Sequence, residues 1–345
     1  MESPPDLSDG RIGIIEYPSA SPFEIHHILC KMDSTPQHPV FGSLLMPEHP
    51  ASDPMPCVVA VHGSLNWRGH HHEHIVGWLE AGFAVFRVHS FDSRLIESTV
   101  EDQMSVTYAM MLTDVYQALR MLSTHPAIDA ARIGIAGWSL GGTVALYSSW
   151  EPLAEALAPD GERFAAHLSL YPAAHLRMDD QRWSKSPILV LHGDEDDWVP
   201  LSLVESLVDD ITPHGANIEV HVYEGAQHSF DSIESLSFDP KAIRLDSHRT
   251  IRIDMQGDMS AEIMPGIVIP LNEPEERLAA FAAAPNLGVH KGGQWTARRH
   301  ALGCSTEFFQ RSLSSCLTGS GMFSEPLMLA PYDSLLWTPG RDLAG

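Results

Sequence analysis

Lysine is almost missing from this chain. Lys31, Lys185, Lys241 and Lys291 are the whole complement, and 21 basic residues face 45 acidic ones, for a formal net charge of −24. A phosphate backbone is repelled by such a field, so no nucleic-acid partner is expected. No apolar run approaches the roughly 20 residues of a membrane span, so no membrane partner is expected either. The opening MESPPDLSDG is polar and acidic, and reads as neither a signal nor a transit peptide. Cysteine is sparse: Cys30, Cys57, Cys304 and Cys316 lie far apart with no C-x-x-C spacing. That is the pattern of unpaired thiols in a reducing compartment, and the expected location is cytoplasmic. A Cys304–Cys316 bridge would have to compete with helical geometry there. Internal repeats are also lacking. What is present, 44% hydrophobic and 19% charged residues in a chain of 345, suits a soluble protein with one large core, with or without an appendage.

From residue 57 to about 224, apolar runs of strand length alternate with helical patterns. Strands are expected at CVVAVHG (57–63), AVFRVHS (84–90), RIGIAGWS (132–139), FAAHLSLYP (164–172), PILVLHGD (187–194) and IEVHVYEG (218–225). Helices are expected over 72–82, closed by Gly82, over 106–126, stopped by Pro126, over 140–150 and near 201–213. The strands are nearly continuous in apolar residues, which predicts a mostly parallel α/β sheet covered on both faces. The segments GRIGIIEYP, FEIHHILCKM and PVFGSLLMP look like leading, antiparallel strands. The rhythm breaks after residue 230. Residues 231–296 predict a small β excursion with a turn at Gly257 and a short helix over 273–285, either a lid or a dimerisation element. A final amphipathic helix follows, 296–317 as a pattern and 297–317 as a core element. The tail, 318–345, is rich in Gly, Pro and Ser and is expected to wrap the surface or fray. A homodimer is one outcome the excursion and tail would allow.

The strongest chemical signal is GWSLGG, residues 137–142, between the strand RIGIA and a helix. Gly-x-Ser-x-Gly in that setting is a nucleophile elbow. A tight turn needs small residues at Gly137 and Gly141, and it pushes the Ser139 hydroxyl out at the carboxyl edge of the sheet. The following helix aims its N-terminus at the same spot, where negative charge develops. A serine needs a base, and the base an orienting acid, in the chain order Ser, acid, His on this architecture. LHGDEDDWVP (191–200) offers four acids, Asp194, Glu195, Asp196 and Asp197. YEGAQHSFD (223–231) offers His228.

HPAIDAARIGIAGWSLGG, LHGDEDDWVP and YEGAQHSFD together resemble the dienelactone hydrolase family of α/β-hydrolases, over roughly residues 38–231 and the last helix. The resemblance implies the α/β-hydrolase fold with a C-terminal β/α insertion and tail. Its G-x-x-D-x-x-V-P loop, aligned on Gly193, Val199 and Pro200, puts the triad acid at Asp196, and its G-A-x-H-x-F-D segment puts the base at His228. The namesake enzymes use a cysteine nucleophile where this chain has Ser139, which shifts the expectation from an enol-lactone specialist to a serine esterase.

Position alone assigns the oxyanion donors: the N–H of Leu140, and that of Ser64 in the loop after VVAVHG, with Leu65 as its alternative. His62 is expected to be structural. HSFDSR (89–94) resembles the D-S-F-x-x-R-G stretch of some family members but departs from it at His89 and Leu95. Arg94 there would either hold a substrate carboxylate or brace its loop against Asp92 or Glu97. Trp138 is expected to pack under the elbow and Trp198 to line the pocket. His70, His71, His72 and His74 in WRGHHHEHIVGW point in too many directions for a catalytic metal site. No metal or cofactor is expected, and the cluster, His71 in particular, is expected at the pocket rim. The expected function is hydrolysis of a small carboxylic ester or lactone through an acyl-enzyme. The alternatives are a small-molecule amidase or peptidase on the same fold, and a non-catalytic interaction protein.

Overall fold

The computed structural model describes residues 4–247, 249–283 and 286–313. In chain order the core elements are β1 (Gly13–Ala20), α1 (Ile25–Cys30), β2 (Gln37–Leu45), β3 (Met55–Val61), α2 (Gly69–Glu80), β4 (Ala84–Val88), α3 (Ser90–Ser93), α4 (Tyr108–Leu122) and β5 (Ile128–Trp138). They continue with α5 (Leu140–Tyr147), α6 (Glu151–Leu157), β6 (His167–Leu170), β7 (Leu176–Met178), β8 (Ile188–Gly193), α7 (Leu201–Ile211) and β9 (Ile218–Tyr223). Eight of these strands form one sheet in the order β1-β2-β4-β3-β5-β6-β8-β9. The pairs β1–β2 and β2–β4 are antiparallel, and every later pair is parallel. This is the α/β-hydrolase fold.

The period of two along each strand divides the core between the two faces. In β3, Cys57, Val59 and Val61 pack on one side, under α4, while Val58 and Ala60 pack on the other with Ile75 and Trp78 of α2. β3 lies between β4 and β5, so the strand order reverses there. In an open α/β sheet, ligands bind outside the carboxyl ends of strands at such a point. The loops leaving β3 and β5, which carry Ser64 and Ser139, open at that place.

The segment FEIHHILCKM is not a strand. Residues 25–30 form α1, burying Ile25, His26 and Ile28, and the His27 ring accepts the Glu24 N–H at 3.3 Å to cap the helix start. Ile25, Ile28 and Leu29 satisfy a helical period, Phe23, Ile25 and Leu29 fit the alternating one, and packing chose the helix. α2 likewise begins three residues before its expected start, so all four clustered histidines are helical. The sequence reading passed over α3, α6 and β7.

After β9 the chain adds β10 (Ser237–Ile243), β11 (Ile251–Ile253), β12 (Met259–Met264), β13 (Ile267–Pro270), α8 (Pro274–Ala283), β14 (Leu287–Lys291) and α9 (Trp295–Ser312). β10 pairs with β14, while β11, β12 and β13 form a meander. The expected turn at Gly257 is present, with φ +84°. β11 also pairs in parallel with β7 of the core, Ile251 opposite Leu176, so the excursion is stitched to the core by backbone hydrogen bonds. α9 packs against α2 and ends five residues before the expected Leu317. The expected tail and Cys316 lie outside the described residues. Cys30, Cys57 and Cys304 are free thiols. Among the described residues, no helix is long and apolar enough to cross a membrane.

Candidate active site

Ser139 sits between β5 and α5 with φ +54° and ψ −113°, a conformation that L-residues rarely adopt. The glycines make the turn possible. A Cβ on Gly137 would stand 2.0 Å from the Gly141 carbonyl oxygen, and one on Gly141 would stand 2.2 Å from that of Val61. Backbone bonds pin the turn: Ser139 N–H donates to the Leu170 carbonyl at 2.9 Å, and Thr143 N–H to the Ser139 carbonyl at 2.8 Å. Leu140 is the first residue of α5, so its N–H has no intrahelical acceptor. Ser64 lies in a tight turn closed by Asn66 N–H on the Gly63 carbonyl at 3.0 Å.

His228 Nε2 lies 2.9 Å from Ser139 Oγ, and His228 Nδ1 lies 2.7 Å from Asp196 Oδ2. The other Asp196 oxygen accepts the backbone N–H groups of Trp198 and Val199 at 3.0 and 2.9 Å. The competing acids are used elsewhere. Asp194 accepts Gly225 N–H, Glu195 holds Gln227, and Asp197 binds the backbone and ring of His290. Asp196 and His228 are buried, and Ser139 is half-buried. Among the described residues, the set Ser139, His228 and Asp196 thus forms one hydrogen-bonded line.

The His228 ring is held between two aromatic side chains, Tyr171 edge-on and Trp198 tilted, each with its ring centre 4.7 Å away. Both are anchored. Trp198 Nε1–H donates to the Ile243 carbonyl at 3.0 Å. Tyr171 Oη–H donates to Asp231 Oδ1 at 2.7 Å, and Trp138 Nε1–H to Asp231 Oδ2 at 3.0 Å. Asp231 is fully buried. Burial alone would raise its carboxyl pKa, but His70, His74 and Tyr171 outweigh burial and hold it below the usual carboxylate range. His74 Nε2 lies 3.2 Å and His70 Nε2 3.9 Å from this carboxylate. Sequence reasoning gave Asp231 no role, although it closes the quoted YEGAQHSFD stretch. Its use depends on donors 60 and 93 residues away.

Strain concentrates here. Of the five described non-glycine residues with positive φ, four line one small cavity at the elbow turn: Asn66, Ser139, Tyr171 and Ser229. Each such conformation costs on the order of 1–3 kcal/mol and persists only where its surroundings enforce it.

The histidine cluster is not a charged rim. His71 accepts the Arg68 N–H at 3.1 Å, capping α2, and stacks on Trp138 at 4.5 Å. His70, His71 and His74 are buried, and burial holds His70 and His71 below the usual histidine range. His71 nonetheless lines the small cavity beside Ser139, together with Ser64, Leu65 and Trp198. Among the described residues, no group of three or more His, Cys, Asp or Glu could hold a metal ion. His62 is fully buried, its Nδ1 lies 2.9 Å from the Gly63 carbonyl, and burial lowers its pKa to about 4.

Arg94 does not reach the site. Its guanidinium makes a paired contact with the buried Asp114, at 2.7 and 3.0 Å, and lines neither cavity at Ser139. It is a structural ion pair, made with Asp114 of α4 and not with Asp92 or Glu97. Asp92 instead serves Asn66 and His89.

A second, larger cavity of about 230 Å³ opens from Ser139. Half of the residues lining it belong to the excursion between β10 and β14.

A curated protein of Bradyrhizobium, named as a probable 2-oxo-3-(5-oxofuran-2-ylidene)propanoate lactonase, is 30% identical over 122 residues, 35% of this chain and 48% of that protein. The chain thus spans about half the length of the curated relative it matches. A dienelactone hydrolase-like promiscuous phosphotriesterase from metagenomic libraries is 16% identical with a TM-score of 0.50, covering 88% of this chain and all of the other. At that identity the likeness concerns the fold. A thermophilic esterase of Thermogutta terrifontis with bound propionate is 17% identical over 56% of this chain and 80% of its own, with a TM-score of 0.43. Residues 42–253 match the dienelactone hydrolase family, and the chain belongs to that family.

Proposed function

We propose that this protein hydrolyses a carboxylic ester or lactone of a small molecule through an acyl-enzyme on Ser139. The observation that carries the reading is the unbroken line Ser139 Oγ, His228 Nε2, His228 Nδ1, Asp196 Oδ2 at 2.9 and 2.7 Å, facing two cavities at the carboxyl edge of the sheet. Membership of the dienelactone hydrolase family and the lactonase name of the Bradyrhizobium relative support the choice of bond.

In this reading His228 takes the Ser139 proton as Oγ attacks the carbonyl carbon. Asp196 keeps the Nδ1 proton in place and stabilises the imidazolium. The N–H groups of Leu140 and Ser64 hold the oxyanion, helped by the N-terminus of α5. The C–O bond to the leaving group then breaks, and His228 passes its proton to the departing oxygen. A water molecule, deprotonated by His228, attacks the acyl carbon. Collapse returns the proton to Ser139 and releases the carboxylic acid. In a lactone the leaving hydroxyl stays attached to the product.

Ser139→Ala is expected to abolish turnover of p-nitrophenyl esters and labelling by a fluorophosphonate probe while leaving the circular dichroism spectrum unchanged. Full activity in that variant would end the proposal.

A further inference from the structure

The two cavities that meet at Ser139 differ in size and polarity, and His228 belongs to only one of them. The small cavity, about 30 Å³, includes His228 and is rimmed by polar side chains, among them Glu234 and Lys291. Its volume has room for no more than a few waters. The large cavity, about 230 Å³, includes Leu140 but not His228, and its walls are mostly apolar, with Val106, Ile243, Leu245, Ile251, Ile263 and Leu271 among them.

Resting on the serine-hydrolase reading above, we infer that the large cavity is the acyl site, selecting a neutral, extended apolar acyl group, and that the small one receives a compact leaving alcohol and the hydrolytic water. The reason is chemical. His228 must protonate the departing oxygen and later deprotonate the water, so both stand on its side of Ser139. The acyl carbon is bonded to Oγ, so the acyl chain extends the other way, past Leu140. Each buried methylene there contributes about 0.8 kcal/mol, or roughly a factor of four.

Charge in the large cavity is balanced. Its acidic groups are Glu24, Asp246 and Glu262, and its basic groups are Arg244, Arg249 and Arg277. Arg277 Nε stands 3.1 Å from Glu24 and Arg249 Nε 3.4 Å from Asp246, while Tyr108 Oη–H donates to Glu24 at 2.9 Å. Arg244 is exposed to solvent, so a free carboxylate on the acyl chain would either have to compete with the two pairs or settle for a hydrated guanidinium, and in both cases lose hydration of its own. Half of the wall that makes this selection comes from the excursion, which gives its strands and α8 a role.

The test is kcat/KM over two substrate series with the full-length protein. With methanol as the constant leaving group and acid release followed by pH-stat, the value is expected to rise at least about tenfold from acetyl to hexanoyl, and monomethyl succinate is expected to fall at least about tenfold below methyl butyrate. With a constant butyryl group, lengthening the alcohol from methyl to hexyl is expected to lower it. Ala261→Trp, on β12, is expected to cut the hexanoyl-to-acetyl ratio at least about tenfold. A flat or falling acyl series, a preference for the half-ester, or a gain with alcohol length in the wild-type protein would overturn the assignment even if that variant does not fold. Failure on every ester, acetyl included, together with no fluorophosphonate labelling, would overturn the hydrolase reading itself and this assignment with it.

Discussion

The two sides of Ser139 are built from different material. On the His228 side, loops at the end of the main sheet are tied by backbone bonds, forced into positive φ at four residues, and packed around the buried Asp231. On the other side, half of the wall comes from short strands added after the core, joined to it through β7. The difference separates two requirements. Proton transfer needs groups held to a few tenths of an ångström, and strain is tolerated where many contacts enforce it. Selection of an acyl group needs only a shaped apolar wall, which a peripheral excursion can supply.

The largest expected effect separates the two sides most cleanly. Asp196→Asn should lower kcat by about ten-thousand-fold, as expected when a triad histidine loses its orienting carboxylate. Steady-state assays should find the same loss for acetyl and hexanoyl esters, whereas Asp194→Asn should retain near wild-type rates. An Asp196→Asn loss that varied strongly with acyl length would erase the division between chemistry and selection.

Next in size is Arg94→Met, which leaves Asp114 buried and unpaired at a cost of about 3–5 kcal/mol in unfolding free energy. Urea titration would measure it. The ratio of half-ester to neutral-ester turnover should not change, because Arg94 lines neither cavity. A changed ratio would return Arg94 to the substrate.

Asp231→Ala leaves the Tyr171 hydroxyl and the Trp138 indole N–H without their buried acceptor, a loss of about 2–4 kcal/mol. Because Tyr171 packs on the His228 ring, kcat should also fall, with acyl selectivity preserved. If stability fell and kcat did not, the network would be scaffolding alone.

The smallest effect concerns acid. Burial lowers His62, behind the small cavity, and His175, in the wall of the large one, to about 4. In the unfolded chain each takes up a proton near pH 6.5. Between pH 6.5 and 4 the unfolded state therefore binds more protons, and stability falls as pH drops, by about 1 kcal/mol per histidine at pH 5.5. Equilibrium unfolding at pH 7.5 and 5.5 should show this loss, reduced in His175→Phe. A pH-independent stability across that window would contradict the buried neutral state of both rings.

Much of the core was legible from the sequence. Continuous apolar runs broken by helical patterns identified the parallel sheet, and Gly137 and Gly141 marked the elbow because no side chain fits there. The errors share a cause. FEIHHILCKM satisfies both strand and helix periods, and only its packing decided between them. For Arg94 the sequence offers a substrate carboxylate or its chain neighbours Asp92 and Glu97, whereas its partner Asp114 is brought in by the packing of α4. Asp231 stood in a quoted motif and went unread, because a carboxylate with no nearby donors in sequence carries no local signal.

By itself, then, the sequence determined the alternation of the parallel strands with their main helices, the serine on its strained turn, and the loops that offer an acid and a histidine. Those are local properties, set by side-chain period and by the steric needs of a few glycines. Only the tertiary structure decided that His71 and His74 pack on Trp138, that Arg94 pairs with Asp114, and that elements added after β9 wall a cavity at Ser139. Each of these is a contact between segments tens of residues apart, and no local pattern in the chain specifies such a distance.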